Sequence, residues 1–196
     1  MNIKIFCDIA DLSLIKKFNK KKVVKGFTTN PSLMRKAGAK DYKSYSKQIL
    51  KFCKNKPISF EVFADDQKSM IDQGKKINTW GKNIYVKVPV VNSKNKFTGN
   101  VIKELNNKNI KLNITAVYTA KQTAKIVKVI NKKTKVIISI FAGRAADSGH
   151  DPVPEFKNIA GWSSLVARQA HNLKVGGSNP SPATNLFSKK NFINII

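Results

Sequence analysis

The run Ile84-Tyr85-Val86-Lys87-Val88-Pro89-Val90 decides how this chain folds. Apart from Lys87 it is apolar throughout. A strand that is apolar along its whole length is buried on both faces, as in a parallel sheet covered by helices. An ammonium there costs several kcal/mol of desolvation unless it is paired, neutral or useful. Desolvation disfavours the ammonium relative to the free amine, and the free amine is the nucleophile for a carbonyl carbon. The alternative is an edge strand with Lys87 facing solvent, and this strand alone leaves both readings open.

Working outward, short β-rich runs alternate with polar helical stretches, the pattern of parallel βα units. Strands are expected at 3–8, 23–28, 58–64, 84–91, 111–115 and 135–141. Helices are expected at 12–18, 42–54, 67–79, 98–107 and 120–131. Within 42–54, Tyr42, Tyr45, Ile49, Leu50 and Cys53 fall near helical spacing, and within 120–131 so do Ala124, Val127 and Ile130. Thr29-Asn30-Pro31 closes the second strand, and Pro31 suits the first turn of a further helix. Each unit takes about 25–30 residues, the period of a (β/α)8 TIM barrel. The expected fold is therefore an α/β barrel, incomplete, with about six units visible over residues 1–157.

From about residue 158 the pattern changes to the Gly-, Ser- and Pro-rich GWSSLVARQAHNLKVGGSNPSPATN. Residues 158–196 are expected to be a non-homologous or disordered tail without a strand. The segment resembles peptides produced when a transfer-RNA gene is translated, which would make it a frameshift or read-through product. The alternative is a flexible tail.

Composition narrows the function. At 196 residues and 41% hydrophobic, the chain suits one domain with a real core rather than a disordered polymer. No run of about 18 apolar residues exists to span a membrane. The first residues, MNIKIFCDIADL, lack the features of a secretory signal. Cys7 and Cys53 give no disulfide framework and read as reduced thiols in a cytoplasmic protein. The net charge of +26 invites a polyanion-binding reading, resting on charge alone. Against specific nucleic-acid binding, Lys is spread over every expected helix and Arg occurs only at 35, 144 and 168. His150 and His171 have no partner at metal-ligand spacing, so no metal site is expected, and no phosphate-loop or dinucleotide glycine pattern occurs.

Other residues are candidates for chemistry. Thr28, Thr29, Asn30 and Ser32 follow the second strand, and the C-terminal ends of barrel strands face the active site. The bland reading of Asn30 is a helix N-cap. Asp8 and Glu61 are conspicuous carboxylates within strand-like runs, fit for moving protons or for salt bridges with lysines. Arg144, just after the sixth strand, fits a phosphate fork.

The stretches FCDIAD (6–11), GFTTNPSLM (26–34), FEVFA (60–64), YVKVPV (85–90), LNITAVYT (112–119) and FAGRAADSGHDPVP (141–154) together resemble the small transaldolase and fructose-6-phosphate aldolase family. The resemblance implies that Lys87 forms a Schiff base with a ketose donor and that Asp8 moves protons during carbon–carbon cleavage. It implies that Glu61 and Thr115 hold a relaying water, that Thr28 and Asn30 contact the dihydroxyacetone part with Ser32 nearby, and that Arg144 grips the phosphate. It further implies sugar-phosphate substrates, no metal or organic cofactor, and oligomers in intact members. Fructose-6-phosphate aldolases carry glutamine and tyrosine where this chain has Glu61 and Phe141, and transaldolases carry the residues found here. Two departures count against activity: the seventh strand's phosphate-binding groups and the eighth βα unit are not found. Three readings follow, namely an active transaldolase, an inactive truncated relative, and a basic polyanion-binding protein.

Overall fold

The structure is a computed structural model; it describes residues 4–131, 133–151, 153–154 and 192–195, with the backbone alone for 144, 145 and 192–195. Seven strands form one parallel sheet in the order of the chain: β1 (Ile5–Asp8), β2 (Val24–Thr28), β3 (Ile58–Glu61), β4 (Ile84–Pro89), β5 (Leu112–Val117), β6 (Val136–Ile140) and β7 (Phe192–Ile195). Helices α1 (Leu12–Asn19), α2 (Pro31–Lys36), α3 (Tyr42–Phe52), α4 (Gln67–Asn78), α5 (Gly99–Asn107), α6 (Ala120–Val129) and α7 (Ala142–Asp147) fill the connections. Sequential parallel pairing with a helix in each crossover is the winding of an incomplete (β/α)8 barrel. Among the described residues β1 and β7 do not pair with each other, so the sheet curls without closing.

The six expected strands are all present. Their burial follows the rule for parallel sheets: β6 is buried at every position and β4 at all but Pro89. At the edge, β1 stays half-exposed. The seventh strand differs from the expectation that 158–196 holds no strand. Apolar residues at 192, 193 and 195 suit a β run, and Ile137, Ile138, Ser139 and Ile140 pair with 192–195 in register. The remaining calls on 158–191, the tail's character among them, lie outside the described residues, as does His171.

Side chains cap the helices as short polar residues should. Asp11, Asp41 and Asp66 accept from Leu14, Ser44 and Ser69 amides at 2.8, 2.7 and 2.9 Å. Thr119 and Gln122 form a reciprocal capping box on α6. The buried stripe of α6 is Thr123 and Ile126, one position away from the expected Ala124, Val127 and Ile130, which are half-buried. The expected residues flank the most buried line of the helix, which runs through Thr123 and Ile126.

Helix and sheet layers meet in a core of Ile15, Phe27, Ile49, Ile58, Phe60, Ile84, Val86, Ile102, Leu105, Leu112 and Ile114. Close approach is enforced at Gly26, where a Cβ would lie 2.2 Å from the Phe6 ring of the neighbouring strand. Among the described residues no helix is long and apolar enough to cross a membrane.

Candidate active site

Alternation along each strand points every second residue into the barrel. On β3 these are Ser59 and Glu61, on β5 Asn113 and Thr115, and on β6 Ser139 followed by Phe141. Lys87 is the register partner of Glu61 on β3 and of Asn113 on β5. The interior is therefore layered, with a polar layer beneath and a reactive layer above, at the C-terminal ends of the strands.

In the upper layer a cavity of about 710 Å³ is lined by Asp8, Asn30, Ser32, Glu61, Lys87, Thr115 and Phe141 among others. Lys87 is 3% exposed, and its Nζ lies 3.4 Å from Glu61 Oε2. The amine is thus inside the barrel rather than on an edge. The sequence placed it among hydrocarbon neighbours, and the structure adds a carboxylate.

Asp8, exposed to the cavity at the end of β1, accepts a 2.7 Å hydrogen bond from the Thr28 hydroxyl on β2. Thr28 is 1% exposed and does not line the cavity. Its hydroxyl orients a carboxylate that does face the cavity. Asn30 is both the cap and a cavity residue. Its Oδ1 accepts from the Leu33 amide at 2.9 Å, which leaves its Nδ2 hydrogens for whatever occupies the cavity. Ser32 and Phe141 line the same space, Phe141 standing edge-on to Tyr118 at 5.9 Å.

Thr115 carries a different signal. Its hydroxyl is buried and has no hydrogen-bond partner among the described residues, yet the residue lines the cavity. A buried hydroxyl without a partner is costly, so it marks a place for a water or a substrate oxygen. The next residue, Ala116, has φ of 58° and sits in a break of the β5–β6 register between Ile114 and Val117. A left-handed alanine costs about 1–2 kcal/mol, and such bulges re-aim side chains beside active sites.

Arg144 falls on α7, immediately beyond β6, as expected. Its side chain lies outside the described residues, as does the phosphate contact expected of it. Lys36, which the sequence reading did not single out, lines the cavity from α2. The lower polar layer was also missed. The Asn113 amide donates to Ser59 Oγ at 3.0 Å and its oxygen accepts from Ser139 Oγ at 2.7 Å, all three side chains being buried. These two hydrogen bonds link three strands and form the floor of the site. Their signal was available, since Ser59, Asn113 and Ser139 each stand two residues before a cavity residue. Among the described residues no group of three His, Cys, Asp or Glu could hold a metal ion.

A family model described as Transaldolase/Fructose-6-phosphate aldolase matches residues 5–175, and the chain belongs to this family. Among its relatives, a probable transaldolase of Nitrosopumilus maritimus is 37% identical over 157 residues, 80% of this chain and 66% of that one. One from Dehalococcoides mccartyi is 34% identical over 149 residues, 76% of this chain and 65% of the other. A third, from Streptococcus equi subsp. equi, is 33% identical over 168 residues, 86% and 74%. The matched part of the chain thus spans about two thirds of the length of the first two relatives.

Proposed function

We propose that the chain acts as a transaldolase, moving a three-carbon dihydroxyacetone unit between sugar phosphates through a Schiff base on Lys87. One observation carries the reading: a lysine 3% exposed, 3.4 Å from a carboxylate, faces a cavity that Asp8 and Thr115 also line. The free amine adds to the ketone carbon of the donor, and loss of water gives a protonated imine. Asp8 accepts the proton of the hydroxyl on the far carbon of the bond to be broken, the carbon that becomes the aldehyde. That bond then cleaves, an aldose leaves, and its electron pair is held by the imine as an enamine. Attack of the enamine on an acceptor aldose reverses these steps, and hydrolysis returns the amine.

Glu61 and the unpartnered Thr115 hydroxyl hold the water that carries protons at the imine nitrogen. Asn30 and Ser32 bind hydroxyls of the three-carbon unit, Phe141 shields the enamine from solvent, and Arg144 meets the phosphate. The protein works in the cytoplasm.

The test follows carbon. A ketose phosphate labelled with carbon-13 in its first three positions, mixed with an unlabelled aldose phosphate, should pass the label intact into a new ketose. Accumulation of free labelled dihydroxyacetone would indicate the fructose-6-phosphate aldolase-type reaction instead. No turnover of either kind by folded protein would leave the inactive-relative reading.

A further inference from the structure

The end of β3 has a gap in its ladder that a side chain fills. On the side facing β2, the Phe27 amide donates to the Pro57 carbonyl at 2.9 Å and the Thr29 amide to the Ser59 carbonyl at 3.2 Å. Parallel pairing advances by two, so the next donor for the Glu61 carbonyl would be the amide of residue 31. Residue 31 is proline, which has no N–H and here begins α2. Pro31 therefore cannot donate to the Glu61 carbonyl, at the residue whose side chain stands 3.4 Å from Lys87 Nζ.

The Tyr42 hydroxyl, from the first turn of α3, takes the vacant place. It accepts from the Glu61 amide at 2.9 Å and donates to the Glu61 carbonyl at 3.0 Å. One hydroxyl so satisfies both backbone groups of one residue, standing in for a missing length of β2. The ring is fixed in turn, edge-on to Phe63 at 5.4 Å and tilted against Trp80 at 6.0 Å. On the other side, the Val62 amide donates to the Lys87 carbonyl at 3.0 Å. Any rotation of the Glu61 peptide would carry the carboxylate away from the amine, and Tyr42 blocks that rotation.

We infer that Tyr42 is a positioning residue, holding Glu61 at its working distance from Lys87 by replacing the backbone partner that Pro31 cannot supply. The inference rests on the proposed role of Glu61 beside the reacting amine. It is tested in the full chain with Tyr42→Phe, which keeps the ring and removes one oxygen.

Three readouts apply. Amide hydrogen exchange at Glu61 should quicken at least tenfold while Val62 keeps its protection. Carbamylation of Lys87 by cyanate at fixed neutral pH, followed by mass spectrometry, should rise several-fold, because a carboxylate no longer held 3.4 Å from the nitrogen leaves it open to the reagent. Transfer kcat should fall about tenfold with KM within twofold, and the effect should vanish in a Glu61→Gln background. Unchanged exchange and labelling would overturn the inference. So would global loss of protection, which would make Tyr42 a determinant of the fold. If the parent chain shows no transfer but exchange and labelling shift as stated, the proposed reaction fails and the positioning role stands.

Discussion

Replacing Lys87 by methionine shortens the side chain by its terminal atom, removes its charge and takes one ion-pair partner from Glu61. At the 3.4 Å separation of the pair, an effective dielectric of 20 gives a gross attraction of about 5 kcal/mol. Desolvation of two ions offsets most of it. The lysine's share of that penalty disappears with the lysine, so the loss is governed by the carboxylate left behind. The Glu61 side chain is 18% exposed and borders a cavity that water can enter, which places the loss below that of a sealed pair. Lys87→Met should therefore lower stability by about 1–3 kcal/mol at neutral pH. For a domain of this length that is a fall in Tm of roughly 2–12 °C. Adding Glu61→Gln removes the remaining charge of the pair, and the double variant should return to within about 1 kcal/mol of the parent. Urea unfolding of the four proteins, with midpoints compared at constant slope, measures the coupling. Strictly additive effects would show that the two side chains do not act on each other, and the buried-pair reasoning would fail.

Thr115→Val exchanges the unpartnered hydroxyl for a methyl of the same shape; stability should hold or rise slightly while kcat falls about 10- to 100-fold, measured by chemical unfolding and steady-state transfer. Gly26→Ala drives a Cβ into the Phe6 ring, which packs two residues before Asp8. It should cost about 1–3 kcal/mol of stability and reduce turnover as well, whereas a silent substitution would mean that β1 yields freely. Hydrogen bonds from Leu14, Ser44 and Ser69, together with the Ser13 hydroxyl at Asp11, hold the capping carboxyls Asp11, Asp41 and Asp66 below their usual range; Ser93 does the same for Asp65. Depressed carboxylates stabilise the fold above the unfolded value near 4 and lose that contribution as pH falls through their lower folded values. Urea midpoints should decline below about pH 4, and Asp→Asn at the three caps should flatten the decline.

What could be read from the residues had a physical basis in each case. The sheet was legible because parallel strands are apolar on both faces, so that Lys87 stood out against Val86 and Val88. Asp8 and Glu61 stood out as scarce carboxylates at or near strand ends, where barrel geometry gathers side chains, whereas Thr115 entered only through the family resemblance. The hydrogen bond from Thr28 to Asp8 was not legible, because sequence does not say which way a hydroxyl turns. Ser59, Asn113 and Ser139 escaped because serine and asparagine in strands carry little weight singly, though their two-residue offset from cavity positions was there to be seen. Tyr42 lies 19 residues from Glu61 and on another element, a pairing that only the folded chain brings about. The strand at 192–195 was hidden because four residues following a Gly- and Pro-rich stretch make a weak β signal.

The central claim is that the Lys87 amine condenses with a ketose. Incubation of the full chain with a ketose phosphate and borohydride, followed by peptide mass mapping, addresses it directly. The account predicts an irreversible adduct of a three-carbon unit or the whole sugar on the peptide containing Lys87, absent in Lys87→Met. Folded protein that yields no adduct, or one spread over the surface lysines and unaffected by Lys87→Met, would contradict it.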